Sequence, residues 1–350
     1  GDKFRDNSYS VGDIDQPINL DRIVEENRAN GANGATDIFA ASRNSHEWYG
    51  ILSTLKTKLT ENISLTGGLD ARYYVGSHWY EVTDLLGGQY FYNSDLNEKT
   101  GGQALKVGDR FNKDYDGKVG RYGLFTQFEY SKDDLSVFFS SSLSNSEYSK
   151  VDRMSFGAEN RESETVSFLG YSTKGGANYN IDEKQNVFAN IGYFSRAPIA
   201  DNAFNSDFDV DIYEDALNEK VFSVELGYGF KTQMFSANVN LYRTLWIDRF
   251  MTFSLPGANG DFITSNVTGL NALHQGIEID FLFRPFDKLS VTGMASLGDW
   301  TWEDDASART FNDTTGELIA EDFVYAKGLK VSDAAQTTFA LGLKYDLLEK

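Results

Sequence analysis

Charged side chains recur at every second position in several parts of this chain, each set between apolar neighbours. Glu278 and Asp280 alternate with Ile277, Ile279 and Phe281; Asp70 and Arg72 alternate with Leu69, Ala71 and Tyr73. Arg121, Glu129, Glu225, Arg284 and Lys344 occupy comparable positions. Paired carboxylates suggest glycoside hydrolysis, which needs two of them at a cleft in fixed geometry. A chain with 52 acidic residues supplies such pairs by chance. No nucleophile elbow, zinc motif or phosphate loop occurs. The glycines of GKVGRYG (117–123) open a strand pattern with no helix behind it. The expectation is a protein that is not an enzyme.

Metal chemistry finds as little support. The segment DNAFNSDFDVDIYED (201–215) gathers Asp201, Asp207, Asp209, Asp211, Glu214 and Asp215. Hard oxygen donors at alternate positions suit Ca²⁺, but the Gly and the twelfth-position Glu of an EF-hand loop are missing. The preferred reading is a solvated acidic loop, or one bridged by divalent ions near lipopolysaccharide. Ca²⁺ is the minor alternative, and no cofactor is expected. His46, His78 and His274 show no metal spacing and read as residues at strand and loop junctions. Trp300 and Trp302 stand beside Asp299, Glu303, Asp304 and Asp305. Such a group contacts sugars or peptides in a loop, or anchors a membrane interface; the anchor reading is preferred. The loop candidates for ligand contact are therefore Trp300, Trp302, Asp207, Asp209 and Asp211.

The alternating charges must sit on strands, because side chains one residue apart point to opposite faces only in extended chain. Phe222, Val224, Leu226, Tyr228 and Phe230 share one face of 219–231, with Ser223, Glu225 and Lys231 opposite. The same period runs through eleven segments near 47–59, 63–76, 118–131, 135–148, 167–181, 186–196, 219–231, 234–246, 274–286, 289–302 and 335–346. Connections alternate in length. Short ones fall at 60–62, 132–134, 182–185, 232–233 and 287–288; long ones at 77–117, 149–166, 197–218, 247–273 and 303–334. A sandwich has turn signals at both ends without this alternation. An up-and-down barrel in an outer membrane has short turns at one rim and long loops at the other.

Composition agrees. A formal charge of −20 excludes a nucleic-acid partner. The absence of Cys rules out disulfide staples. No run of 18 apolar residues exists, so there is no transmembrane helix, whereas a crossing strand needs only about 9–11 residues. The 26 Phe, 19 Tyr and 5 Trp suit aromatic girdles at two membrane interfaces. The predicted fold is all-β, a transmembrane antiparallel up-and-down β-barrel. Its apolar face meets lipid. Asp70, Arg72, Arg121, Glu129, Glu225, Glu278, Asp280, Arg284 and Lys344 face the lumen. Residues 1–46, rich in Asn, Asp and Gly, read as an external loop segment with one helical turn at LDRIVEENRAN; 47–350 carry the barrel.

The stretch from Asn44 to Gly88, with NIGYFSRAP (190–198), NLYRTLWIDRF (240–250) and HQGIEIDF (274–281), resembles TonB-dependent outer-membrane receptors. The Bacteroidetes type, often preceded by a carboxypeptidase-like regulatory domain, is the nearest resemblance. It implies a 22-stranded barrel of which these eleven strands are about half, closed by an N-terminal plug and driven by TonB. Plug, Ton box and terminal strands are not found, so the chain reads as an interior piece of a longer protein. The function implied is energy-coupled import of a scarce small ligand in a bacterial outer membrane. The partners implied are membrane lipid and lipopolysaccharide, TonB through the missing N-terminal region, and a surface lipoprotein lid. The alternatives are a porin, adhesin or structural barrel without TonB coupling, or a soluble glycan-binding β-protein.

Overall fold

The computed structural model describes residues 18–93, 102–154, 162–205, 210–257, 262–313, 316–332 and 334–347. Eleven strands form one antiparallel path in chain order, interrupted only where extra strands branch from the long connections. They are β1 (Phe39–Lys58), β2 (Ile63–Asp84), β5 (Arg110–Lys132), β6 (Leu135–Asp152), β7 (Val166–Asn180), β8 (Gln185–Arg196), β9 (Glu219–Lys231), β10 (Phe235–Pro256), β11 (Phe262–Phe286), β12 (Leu289–Trp302) and β15 (Thr337–Tyr345). Each corresponds to one segment of period-2 sequence. The small strands β3 (Phe91–Asn93) and β4 (Gln103–Leu105) pair with each other; β13 (Ala306–Asn312) pairs with β11 and with β14 (Leu318–Val324).

Strand register shows why the alternation is so clean. Directly opposed residues share a face. Phe235, Phe283, Val291 and Leu343 form one row across β10, β11, β12 and β15. The next rows are Ala237–Phe281–Gly293–Leu341, Val239–Ile279–Ala295–Phe339 and Leu241–Ile277–Leu297–Thr337. The fifth row turns polar: Arg243–Gln275–Asp299. From Phe235 to Arg243 is eight residues, ~20 Å of height for strands tilted as in a barrel. Among the described residues no second layer covers these rows. Leu226 is 53% exposed, Phe339 71% and Leu341 78%. A wall this apolar cannot face water.

The connections are tight at one rim. β5 and β6 are joined through Asp133 and Asp134, and Asp133 takes φ 49°, a left-handed conformation that Asp tolerates. At 181–184, Asp182 Oδ1 accepts the N–H groups of Lys184 (2.7 Å) and Gln185 (2.8 Å), closing the turn with its side chain. At the other rim the strands run past the apolar band. β5 has 23 residues and β11 has 25, about twice the length a membrane crossing needs.

This extension changes two sequence-based boundaries. The connection expected as a loop over 247–273 is largely ladder: β10 and β11 stay paired to Pro256 and Phe262, with bulges near Arg249. Strand β1 begins at Phe39, inside the segment expected to be loop, and its first residues pair with β2 up to Asp84. Ahead of it lies helix α1 (Leu20–Asn30), longer than the single turn expected. Asn19 caps it by accepting the Arg22 N–H at 3.1 Å, and Gly31 ends it at φ 49°. Residues 1–17 lie outside the described residues.

A buried amide fixes α1 to the wall. Asn27, 1% exposed, donates to the carbonyls of Asp37 (2.8 Å), Leu85 (3.2 Å) and Leu86 (3.2 Å), and accepts from the Thr36 N–H (3.0 Å). Below it Ala35, Ile38, Val82 and Leu105 form a small core. Asn27→Ala strands these buried partners, and the expected loss is roughly 1–3 kcal/mol. Limited proteolysis should then cut within 18–38 while β2 and β5 stay protected; uncut α1 in the variant would refute the tether.

Candidate functional site

The polar face of the wall carries all the residues expected in the lumen, arranged in two unlike halves. On the β1–β2–β5 side, Arg72 Nε pairs with Asp70 Oδ1 at 2.7 Å, and its guanidinium lies 6.0 Å from the Trp48 ring. Arg121 is directly opposite Arg72 in the ladder, a like-charge pair that Asp70 relieves. Glu129 accepts from Ser64 Oγ (3.1 Å) and Gln127 Nε2 (2.5 Å), with Lys56 Nζ at 4.0 Å.

On the β8–β11 side, amides replace cations. Glu225 is gripped by Asn190 Nδ2 (3.0 Å) and Asn240 Nδ2 (2.5 Å) from the two neighbouring strands. Asp280 accepts from Asn238 Nδ2 at 3.1 and 3.2 Å. Glu278 is exposed opposite Asn240 and Ser296. Arg284 sits near the short-turn rim, and Lys344 lies 3.6 Å from Asp346. Mutual charge pairing, the plain expectation for a mixed-sign wall, therefore holds for Asp70–Arg72 and loosely for Glu129. Sequence reading missed Asn190, Asn238 and Asn240. Their signal was there: Asn238 and Asn240 alternate in β10 as the carboxylates do in β11.

At the open rim the polar face is lined by rings. His46 and Tyr74 stack at 5.7 Å, with His46 Nδ1 2.6 Å from Tyr74 Oη. His78 stacks on Tyr115 at 4.9 Å and lies edge-on to His46 at 6.5 Å. His46, His78 and His274 all lie within strands, not at junctions, and register brings His46 and His78 together across 32 residues of sequence. His274 packs on Trp300 at 5.4 Å, and Trp300 Nε1 donates to Tyr242 Oη at 2.9 Å. Trp300 and Trp302 thus end strand β12 and are not loop residues; Trp302 packs on the cluster around Val267 and Leu270. The anchor reading fails for Trp300, which shares the face of His274 and Tyr242, opposite the apolar rows.

The long connection 197–218 folds onto this same face. Tyr148 and Phe168 from the wall pack with Phe204, Tyr213 and Phe250, and Tyr148 Oη donates to the Pro198 carbonyl at 2.8 Å. Arg196 and Glu219 pin its two ends together, Nη2 to Oε2 at 2.5 Å. Of the acidic set, Asp211 is exposed, Asp215 pairs with Arg309 at 3.0 Å, and Asp207 and Asp209 lie outside the described residues. Among the described residues no group of three His, Cys, Asp or Glu is placed to hold a metal ion.

Residues 3–349 match the family described as TonB dependent receptor-like, beta-barrel. The chain belongs to that family. Similar solved structures include the copper transporter OprC (12% identity, 88% of this chain and 50% of that one, TM-score 0.57). The siderophore receptor PiuA from Acinetobacter baumannii has 13% identity over 88% of this chain and 45% of its own, with a TM-score of 0.55. The ferric citrate transporter FecA in its unliganded form has 9% identity over 89% and 48%, with a TM-score of 0.52. At these identities the likeness is one of fold. The chain spans about half the length of these structures. No curated protein sequence matches it.

TonB-dependent receptor barrels are outer-membrane proteins and not enzymes. The apolar rows of the receptor barrel accordingly meet lipid, the polar face meets the lumen, and the long connections are extracellular. Above the lipid on β5, Asp116 accepts from Ser77 Oγ (2.6 Å) and makes a very short contact with Arg153 Nη2. Burial alone would push the Asp116 carboxyl up; the bonds from Arg153 and Ser77 outweigh it and hold the group below 3.8. A depressed carboxyl contributes stability above its unfolded value that is lost as pH falls through the folded one. The thermal-midpoint difference between the wild-type protein and Asp116→Asn should therefore be full at neutral pH and shrink as pH falls below 3.8. A difference that is constant down to acid pH would contradict the assignment.

The two faces predict unequal tolerance of charge. Leu226→Arg, in the middle of the lipid-facing rows, should cost about 2–4 kcal/mol in urea titrations of the folded barrel. Glu225→Arg, one residue away on the wet face, should cost far less. Equal costs would invert the facing.

Proposed function

We propose that this barrel wall belongs to an energy-coupled importer that takes a scarce small ligand across the outer membrane through a TonB-linked plug. The observation that carries this reading is the polar face. It is polar and mixed in sign along its length. At the extracellular end it carries two groups of rings, His46, Tyr74, His78 and Tyr115 on β1, β2 and β5 and His274 and Trp300 on β11 and β12, with a folded loop packed on the same face between them at Tyr148 and Phe168. An ordered loop packed onto the inner wall suits a receptor that must hold its ligand before letting it pass. Ring faces and imidazoles suit a planar or metal-bearing ligand better than a simple ion. The copper transporter, the siderophore receptor and the ferric citrate transporter that share the fold are named for metal-bearing cargo. A small metal chelate is therefore the cargo class to test first. A surface lipoprotein lid over the long loops is a further partner that motif resemblance suggests.

The decisive experiment is uptake of isotopically labelled iron and copper chelates by cells carrying the full-length parent protein. Measurements are made with and without TonB and with a protonophore. Uptake should fall to background when TonB or the proton gradient is removed. Uptake that persists without TonB would favour the porin reading instead.

A further inference from the structure

A bulge in β10 turns one cation inward at the open rim. Trp246 lies opposite Ala272 and Arg249 opposite Leu270, so three steps along β10 match two along β11. The extra residue reverses the alternation of faces. Asp248, at φ 55°, swings to the outer face, where Lys220 Nζ donates to its carboxylate at 2.6 Å. The Asp248 N–H donates to Asn271 Oδ1 at 2.9 Å, which locks the bulge. Arg249 thereby comes round to the lumenal face of Trp246 and His274.

There it meets rings and no acceptor. Its guanidinium lies 4.8 Å from the Trp246 ring and 5.6 Å from that of Trp302, and the two indoles flank the buried Ala272 in one row. Arg249 is half-buried and makes no hydrogen bond or ion pair with any of the described residues. Arg196, 5.2 Å from the same Trp246 ring, is already held by Glu219. Trp246 Nε1 is buried with no acceptor among the described residues.

A half-buried cation and a buried N–H that nothing accepts from are costly to keep. An oxygen acceptor entering from the lumen satisfies both. Ring contacts use the flat face of a guanidinium and leave the N–H fork along its edge, which matches a carboxylate in two parallel bonds. One uncommitted positive charge balances one carboxylate. A phosphate group carries about −1.5 to −2 and needs a second cation, but Arg196 is taken. We propose that Arg249, Trp246 and Trp302 form a subsite for a flat ligand bearing a carboxylate, with the carboxylate on the guanidinium and the flat body against the indoles. The inference rests on the importer reading and narrows its cargo to carboxylate-bearing ligands.

The test is equilibrium dialysis of 2-naphthoate and its neutral amide, 2-naphthamide, against the full-length protein in a neutral detergent, with protein-free micelles as the blank. Wild type should retain the acid about tenfold more tightly than the amide, and about tenfold more tightly than R249Q retains it, the difference expected for one charge-assisted contact. R249K should recover part of the loss. R243Q, on the same strand but the opposite face, should behave as wild type, and R249Q should hold the amide as wild type does. The comparison of acid with amide uses wild type alone and needs no variant to fold. Equal retention of acid and amide by wild type, equal retention of the acid by wild type and R249Q, loss of the amide in step with the acid, or displacement of the acid by inorganic phosphate at lower concentration than by benzoate would each overturn the proposal. Dialysis reads binding and not uptake. A failed subsite therefore leaves TonB-dependent uptake standing, and uptake that persists without TonB leaves the dialysis result standing.

Discussion

A wall one strand thick, with hydrocarbon against one side, has no water on that side to satisfy its backbone. Every N–H and C=O in the lipid band must find its partner in the neighbouring strand. That requirement fixes the ladder first. Register then follows from it, because a slip of one residue would send Glu225, Asp280 and Arg72 into lipid and Leu226, Ile279 and Tyr73 into the lumen. The eleven-strand path, its unbroken register from Phe235 to Trp246 against Phe283 to Ala272, and the sorting of polar from apolar side chains are consequences of one constraint.

Packing plays a different part here than in a soluble domain. The lipid band has no central core; its side chains pack on their same-face neighbours and on lipid. Among the described residues, protein-like cores occur only where the chain has left the membrane: around Tyr213 and Phe250, around Val267 and Ala308, and around Ala35 and Val82. Those three clusters sit where long connections must be held against the strands that carry them. The buried Asn27 amide and the Arg196–Glu219 clasp perform the same task with hydrogen bonds.

How much of this was legible in the residues depends on height along the strand. Within the lipid band one face must be apolar and the other wet, so the period of two is enforced and all eleven strands could be read, and Asp70, Glu225 and Glu278 fall together on the face opposite the apolar rows. Above the band both faces touch water. The enforcement stops, and FAASRNSH at the start of β1 carries no pattern although it is strand. The same loss hid the extended pairing of β10 with β11 and the small strands β13 and β14. Contacts between distant segments were out of reach for another reason. Nothing in the spacing of His46 and His78 shows that register lays their rings 6.5 Å apart, or that Trp300 meets Tyr242 across two strands.

The strands that overrun the bilayer carry a last implication. Because β5, β6, β10 and β11 keep their ladders well beyond the headgroups, the outer part of the protein is a stiff collar and not a set of waving tethers. A molecule arriving from outside meets side chains already held at fixed separations. It forfeits little disorder in docking, so discrimination between rival molecules rests on shape and charge at set positions and not on how the surface rearranges.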